Sequence, residues 1–164
     1  LATSAARARV PVHLTRYALA AHPVDVDAGT TVLVAENPRV VEAAAQREST
    51  IPVITTNGNP SAAVRLLVGQ LLHAGARLLY HGDFDAPGLA ICARMLQLGL
   101  QPWRMDTDDY ETAVKAALAE GVELPTETRP VGPTPWDPDL QGAMRELGRI
   151  VHEERLLDIL LENR

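Results

Sequence analysis

The sequence is poor in cysteine and in aromatic residues and has no long apolar run, and each shortage excludes a class of protein. Cys92 is the single cysteine, so the chain cannot form an internal disulfide, and one thiolate cannot build a zinc site. Aromatic residues make up only 4% of the chain, so we expect a core of Ala, Leu and Val. No apolar run approaches the roughly 20 residues that span a bilayer, and no signal segment is evident. We therefore expect a cytoplasmic protein with no membrane partner.

The charge balance is acidic. There are 15 Lys and Arg and 21 Asp and Glu residues, which give a net charge of −6, and 46% of the residues are hydrophobic. This composition is typical of a folded domain. An acidic total argues against a broadly basic DNA-binding face, although bound cations reverse the sign locally. Because the chain begins at Leu1, we expect residues 1–30 to lead in from a missing N-terminal region, and that region or a partner subunit would carry the basic surface.

Strand-like and helix-like patterns alternate along the chain. Four short apolar runs are typical of strands, at residues 31–35, 51–55, 76–80 and 101–105. A helical pattern follows each run, which predicts an α/β fold with a mainly parallel four-stranded sheet flanked by helices. We assign residues 31–164 to this domain. It includes a proline-rich excursion at 121–138 and a long C-terminal helix at 139–163.

Acidic residues follow two of the predicted strands. Glu36 comes after the first strand, and Asp83 and Asp85 come after the third. Alternation along an extended chain places the two aspartates on one face, and His81 shares that face if the strand continues to it. Neighbouring carboxylates repel unless a cation or a proton separates them, and Mg²⁺ prefers oxygen ligands. The alternative is that these acids only cap helices, as Asp85 would for a helix that begins near Pro87.

Four motifs carry a resemblance to a known family. They are found at residues 34–38, 56–61, 80–88 and 102–105. Together they resemble the TOPRIM-like C-terminal domain of bacterial proteins related to the nuclease subunit of Wadjet plasmid-defence systems. The Asp-x-Asp-x-x-Gly turn is more distantly similar to that of the topoisomerase VI A subunit.

The resemblance implies phosphodiester chemistry on DNA that depends on Mg²⁺ or Mn²⁺. Glu36 matches the TOPRIM glutamate, which is a metal ligand or a general base. Asp83 and Asp85 match the aspartates that hold the metal, and Gly58 matches a tight turn near the site. The usual Glu-Gly is replaced by Glu-Asn-Pro here.

The predicted C-terminal helix places a carboxylate on an apolar stripe. The stripe consists of Leu147, Ile150, Val151, Leu157 and Leu161. Glu154 falls inside it, and a buried carboxylate needs a partner or a cation. Related nucleases carry a glutamate late in the domain, and Glu154 is the candidate equivalent. The alternative is a solvated residue paired with Arg149 or Arg155.

Three functions remain open at this point. The first is a metal-dependent nuclease domain that acts on DNA, either alone or with other subunits of a larger complex. The second is a non-catalytic scaffold that docks other subunits through residues 121–138. The third is a metal-assisted phosphohydrolase of another class. His81 would either assist proton transfer or make a structural hydrogen bond.

Overall fold

A computed structural model describes residues 8–162 of the chain. Its centre is a four-stranded parallel sheet in the order β2-β1-β3-β4. The strands are β1 (Thr31–Ala35), β2 (Val53–Thr55), β3 (Arg77–His81) and β4 (Gln101–Pro102). The expected α/β fold with a parallel four-stranded sheet is therefore confirmed.

Helices precede and follow the strands in the order that the sequence predicts. They are α1 (Arg16–Ala21), α2 (Pro38–Gln46), α3 (Ala62–His73), α4 (Ala86–Gln97), α5 (Thr107–Ala119), α6 (Leu140–Leu147), a 3₁₀ turn (Glu153–Arg155) and α7 (Leu157–Leu160). Side-chain caps begin the four helices that follow the strands, from Asn37, Ser61, Asp85 and Asp106. Within residues 8–162, no helix is long and apolar enough to cross a membrane.

The core lies on both faces of the two central strands. Residues 32–35 of β1 and 78–81 of β3 are buried, as expected for strands of a parallel sheet covered by helices on either side. Cys92 on α4 is fully buried and belongs to this core.

The two outer strands are shorter than predicted. At β4, the Trp103 N–H still donates to the Tyr80 carbonyl oxygen at 2.7 Å, but Arg104 takes a left-handed backbone conformation with φ 52°. Asp106 then caps α5. The chain therefore leaves the sheet early in order to enter the helix.

The predicted long C-terminal helix at 139–163 is wrong over the described residues. α6 ends at Leu147 because Gly148 adopts the left-handed conformation, φ 58°, that closes a helix. Residues 149–152 are then extended and form antiparallel bridges, Thr126 with Arg149 and Phe84 with Val151. The apolar residues whose spacing suggested one helix are therefore divided between α6, the extended segment and the region of α7.

The proline-rich segment 121–138 packs onto the domain through Glu127. The Glu127 side chain, 2% exposed, accepts hydrogen bonds from the Ala86 N–H at 2.8 Å and from the Arg129 guanidinium. These bonds hold the pKa of Glu127 down to about 2, the guanidinium being the main cause. The segment therefore supports the N-terminus of α4, which follows the acidic turn after β3.

We predict that Glu127→Gln lowers the free energy of unfolding by about 1–2 kcal/mol at pH 7. The folded pKa of Glu127, about 2, lies below its ordinary value of 4.5. Its contribution is therefore present above pH 4.5 and is lost as the pH falls towards 2. Urea unfolding between pH 2.5 and 7 measures this difference, with the exposed Glu123→Gln as the control. A gap between E127Q and wild type that does not narrow in acid would contradict the assignment.

Candidate functional site

The parallel pairing of β1 and β3 brings two acidic turns to one edge of the sheet. Ala35 is opposite His81 in the register, so Glu36 and the turn at residues 82–85 leave the sheet side by side. The Asp83 N–H donates to Glu36 Oε2 at 3.4 Å. The predicted meeting of Glu36 and Asp83 at the carboxyl ends of these strands is observed.

Asp83 also receives the extended segment that follows α6. Its Oδ1 accepts the Glu153 N–H at 2.8 Å, and its Oδ2 lies 3.0 Å from His152 Nδ1. The antiparallel bridge between Phe84 and Val151 holds this segment beside the turn that contains Asp83. His152, 49% exposed at its side chain, was not singled out from the sequence.

Asp85 has a different role from Asp83. One of its oxygens caps α4 by accepting the Gly88 N–H at 2.7 Å, and the other accepts from Arg129 at 3.0 Å. The capping alternative for Asp85 is thus confirmed. The chain turns into the helix immediately after Asp85, so the two aspartates have different hydrogen-bond partners.

The buried acid of the C-terminal segment is Glu153, not Glu154. Glu153 is fully buried and accepts hydrogen bonds from the backbone N–H groups of Glu36, at 3.2 Å, and Asn37. Burial raises the pKa of Glu153 well above its usual range, against those two bonds. Glu154 is exposed, and its Oε1 accepts from Asn37 Nδ2 at 2.7 Å. The assumed helix misplaced Glu154, because the chain is extended up to His152 and then enters the 3₁₀ turn Glu153–Arg155, in which Glu153 is buried and Glu154 is exposed.

Glu154 nevertheless comes close to Asp83. One ligand atom each from Asp83, His152 and Glu154 lies within 4.8 Å of the other two. We call these three residues the 83–152–154 cluster. Two carboxylate oxygens and one imidazole nitrogen at the surface are a donor set that suits Mn²⁺, and also Mg²⁺ with water in the remaining positions.

The surroundings of this cluster are rich in negative charge. Burial and the neighbouring Asp83 raise the pKa of Glu36 to about 7. The buried Tyr80 hydroxyl has no hydrogen-bond partner in the described part of the chain. A hydrogen bond to Asp83 raises the pKa of His152. These three features fit a site that attracts a cation. They are the neighbouring carboxylates, the unpaired Tyr80 hydroxyl and the raised pKa of the His152 imidazole.

The two auxiliary residues occupy well-defined positions. Gly58 has φ +82° in the turn after β2, and its N–H donates to the Glu36 carbonyl oxygen at 3.4 Å. His81 is fully buried, and its Nδ1 lies 2.9 Å from the Trp103 carbonyl oxygen. The structural hydrogen bond expected for His81 is confirmed. Burial lowers the pKa of His81 to about 4.

Two glycines allow the turn after β3 to pack closely. A Cβ at Gly82 would lie 2.8 Å from the Tyr80 hydroxyl and 2.9 Å from Glu36 Oε2, and one at Gly88 would lie 2.2 Å from the Asp83 carbonyl oxygen. The glycine of the Asp-x-Asp-x-x-Gly motif is therefore required because α4 packs directly against the backbone of Asp83.

We predict that Gly88→Ala lowers the free energy of unfolding by about 3 kcal/mol or more. The added Cβ would clash with the Asp83 carbonyl oxygen, and the clash can be relieved only if Asp83 or α4 is displaced. The matched control is Gly142→Ala on α6, where a Cβ would meet open space. That change should be neutral or stabilising by up to about 1 kcal/mol. Thermal or urea unfolding of both variants makes the comparison, and equal stabilities would refute the packing argument.

Comparisons with known proteins identify a family for this fold and site. A family model described as "Protein of unknown function C-terminus" (DUF2399) matches residues 12–163. Neither the curated proteins nor the solved structures include a match. Since the family model covers most of the sequence, the chain belongs to the DUF2399 C-terminal domain family.

Proposed function

We propose that this domain binds Mg²⁺ or Mn²⁺ and carries out phosphodiester hydrolysis on DNA, as a TOPRIM-like nuclease domain. The observation that supports this most directly is the 83–152–154 cluster beside Glu36. The cluster lies at the carboxyl ends of adjacent parallel strands, which is where open α/β sheets bind ligands. The sequence resemblance to nuclease domains of plasmid-defence systems supports the same chemistry.

The charge of the site favours a divalent cation over a purely structural network. Burial and the neighbouring Asp83 raise the pKa of Glu36, and burial together with Asp83 and Glu36 raises the pKa of Glu153, so the ionised forms of these two carboxyls are costly without a counter-charge. A structural ion-pair network would supply arginine or lysine at close range. The close basic partner of Asp83 is His152, which is charged only when it is protonated.

Each residue has a role that follows from its position. Asp83 and Glu154 would hold the cation through oxygen, with His152 as a third ligand. Glu36, whose Oε2 accepts the Asp83 N–H, would complete the coordination or accept the proton of an attacking water. Glu153 is a positioning residue, because its carboxylate holds the backbone of Glu36. When bound, the cation would supply Lewis-acid polarisation of the scissile phosphodiester.

Asp85 is proposed as a positioning residue. Its carboxylate is shared between the N-terminus of α4 and Arg129, so it holds the turn that presents Asp83. The partners of the whole protein, in this proposal, are DNA and further protein regions or subunits that carry the basic surface, since the net charge of −6 leaves little for gripping the DNA backbone.

We predict that Glu154→Gln and His152→Ala each weaken Mn²⁺ binding by about tenfold or more. Both side chains are exposed, so neither change should affect folding. Calorimetry or Mn²⁺ electron paramagnetic resonance measures the affinity, with Glu146→Gln on the exposed face of α6 as the control. Unchanged Mn²⁺ affinity in both variants, or no Mn²⁺ binding by the wild-type chain, would exclude the cluster as a metal site and favour the scaffold function.

We predict further that Asp83→Asn and Glu36→Gln reduce Mg²⁺-dependent nicking of supercoiled plasmid by about 100-fold or more. Asp139→Asn is the control, because the Asp139 side chain makes no capping bond. Circular dichroism separates loss of chemistry from loss of fold in D83N. Full nicking by both variants would overturn the assignment. Cleavage of small phosphoesters with no action on DNA would favour the phosphohydrolase.

A further inference from the structure

Asn37 contacts both glutamates of the C-terminal segment. Its backbone N–H donates to Glu153, and its side-chain Nδ2 donates to Glu154 Oε1 at 2.7 Å. Glu153 is buried and Glu154 is exposed, so one residue touches both the buried support of the candidate site and a member of the 83–152–154 cluster. The contact with Glu154 has no part in the roles proposed above.

The orientation of the Asn37 amide is fixed by the helix that it begins. Its Oδ1 caps α2 by accepting the Arg39 N–H at 2.9 Å. Because the amide oxygen accepts this N–H, the NH₂ group is the part of the amide that meets Glu154. Exchanging the two groups would set donor against donor at the cap and acceptor against acceptor at Glu154.

Among the residues that commonly cap helices, asparagine is the one suited to both contacts. Aspartate and serine also cap well, but an ionised aspartate has no donor. A serine or threonine hydroxyl would have to serve both partners with a single oxygen atom. An amide carries a separate acceptor and donor on one planar group, so the side chain at position 37 can hold Glu154 while it caps α2.

Glu154 depends on this contact for its orientation. Its side chain is exposed, and the Asn37 amide is its only hydrogen-bond partner within residues 8–162. A freely rotating glutamate loses rotamer freedom when it binds an ion, and a side chain that is already held loses less. The hydrogen bond therefore lowers the entropic cost of using Glu154 as a ligand.

We propose that Asn37 is a positioning residue of the metal site, which holds the Glu154 carboxylate ready to bind Mg²⁺ or Mn²⁺ together with Asp83 and His152. The role of Glu154 as a ligand rests on the proposed function, whereas its contact with Asn37 does not. Removing a partner that orients a metal ligand typically weakens metal binding about 10- to 100-fold. Because Glu154 is exposed, we expect an effect at or below the lower end of that range.

Asn37→Ser separates positioning from capping. Serine caps helices about as well as asparagine, so the free energy of unfolding should change little. Loss of the Nδ2 donor should weaken Mn²⁺ binding by about three- to tenfold. Urea unfolding and Mn²⁺ electron paramagnetic resonance measure the two quantities. The control is the reverse exchange at the residue that caps α3, Ser61→Asn, which should leave the Mn²⁺ affinity unchanged.

A double-mutant cycle shows whether Asn37 acts through Glu154. In the Glu154→Ala background, Asn37→Ser should cause no further loss of Mn²⁺ affinity, because the side chain that it positions is absent. An equal loss in both backgrounds would show that Asn37 acts through the fold instead. Wild-type Mn²⁺ affinity in N37S would show that the contact does not support binding. Either result would overturn the proposal.

A measurement without metal tests the contact itself. In EDTA, the side-chain NH₂ signals of Asn37 in ¹⁵N NMR should shift in Glu154→Ala. They should stay in place in Glu146→Ala, which removes an exposed glutamate from α6. Unshifted signals in E154A would show that the two side chains do not meet in solution and would refute the assignment.

The failure of this proposal differs from the failure of the proposed function. If the wild-type chain and N37S bind Mn²⁺ equally well, the role of Asn37 is wrong and the metal site stands. If the wild-type chain binds no Mn²⁺, the metal site is wrong and the role of Asn37 fails with it. Weaker Mn²⁺ binding in N37S, measured without DNA, supports the role of Asn37 whether or not the chain nicks plasmid.

Discussion

The buried carboxylate of Glu153 is the interaction on which the candidate site depends. It accepts the backbone N–H groups of Glu36 and Asn37, while its own N–H donates to Asp83. Three segments far apart in sequence are joined in this way at one edge of the sheet. Because the bonds to Glu153 run through backbone groups in a buried place, they fix the segments more firmly than exposed ion pairs could. The side chains of His152 and Glu154 reach Asp83 as a consequence.

The same arrangement concentrates negative charge where water is scarce. Burial and the neighbouring Asp83 both raise the pKa of Glu36, and Glu153 experiences the same two effects. Perturbed groups that converge at a strand edge are typical of functional sites. The acidic composition that argues against a DNA-binding face is partly the composition of this site, so the overall charge does not decide the partner.

Local signals in the sequence were enough to predict the fold. Apolar runs, caps such as Asn37 and Asp85, and the alternation of strand and helix gave the parallel sheet and the positions of Glu36 and Asp83. The C-terminal part could not be predicted in this way. Residues 149–152 are extended because they bridge Thr126 and Phe84, which are distant in sequence. Their apolar spacing imitates a helix, so Glu153 and His152 were missed. The left-handed Gly148 was the one local sign of a break.

The Asp-x-Asp-x-x-Gly turn therefore both stabilises the fold and positions a residue of the candidate site. Asp85 caps α4, and Gly88 lets that helix approach the Asp83 backbone, which leaves Asp83 alone of the two aspartates to face the C-terminal segment. The ring of Phe84 between them lies edge-on to His81 and its backbone pairs with Val151. The end of β3 and the turn that follows it thus support the 83–152–154 cluster. Since Phe84 and residues 78–81 of β3 are buried, a shift of Asp83 must be accommodated by this closely packed support.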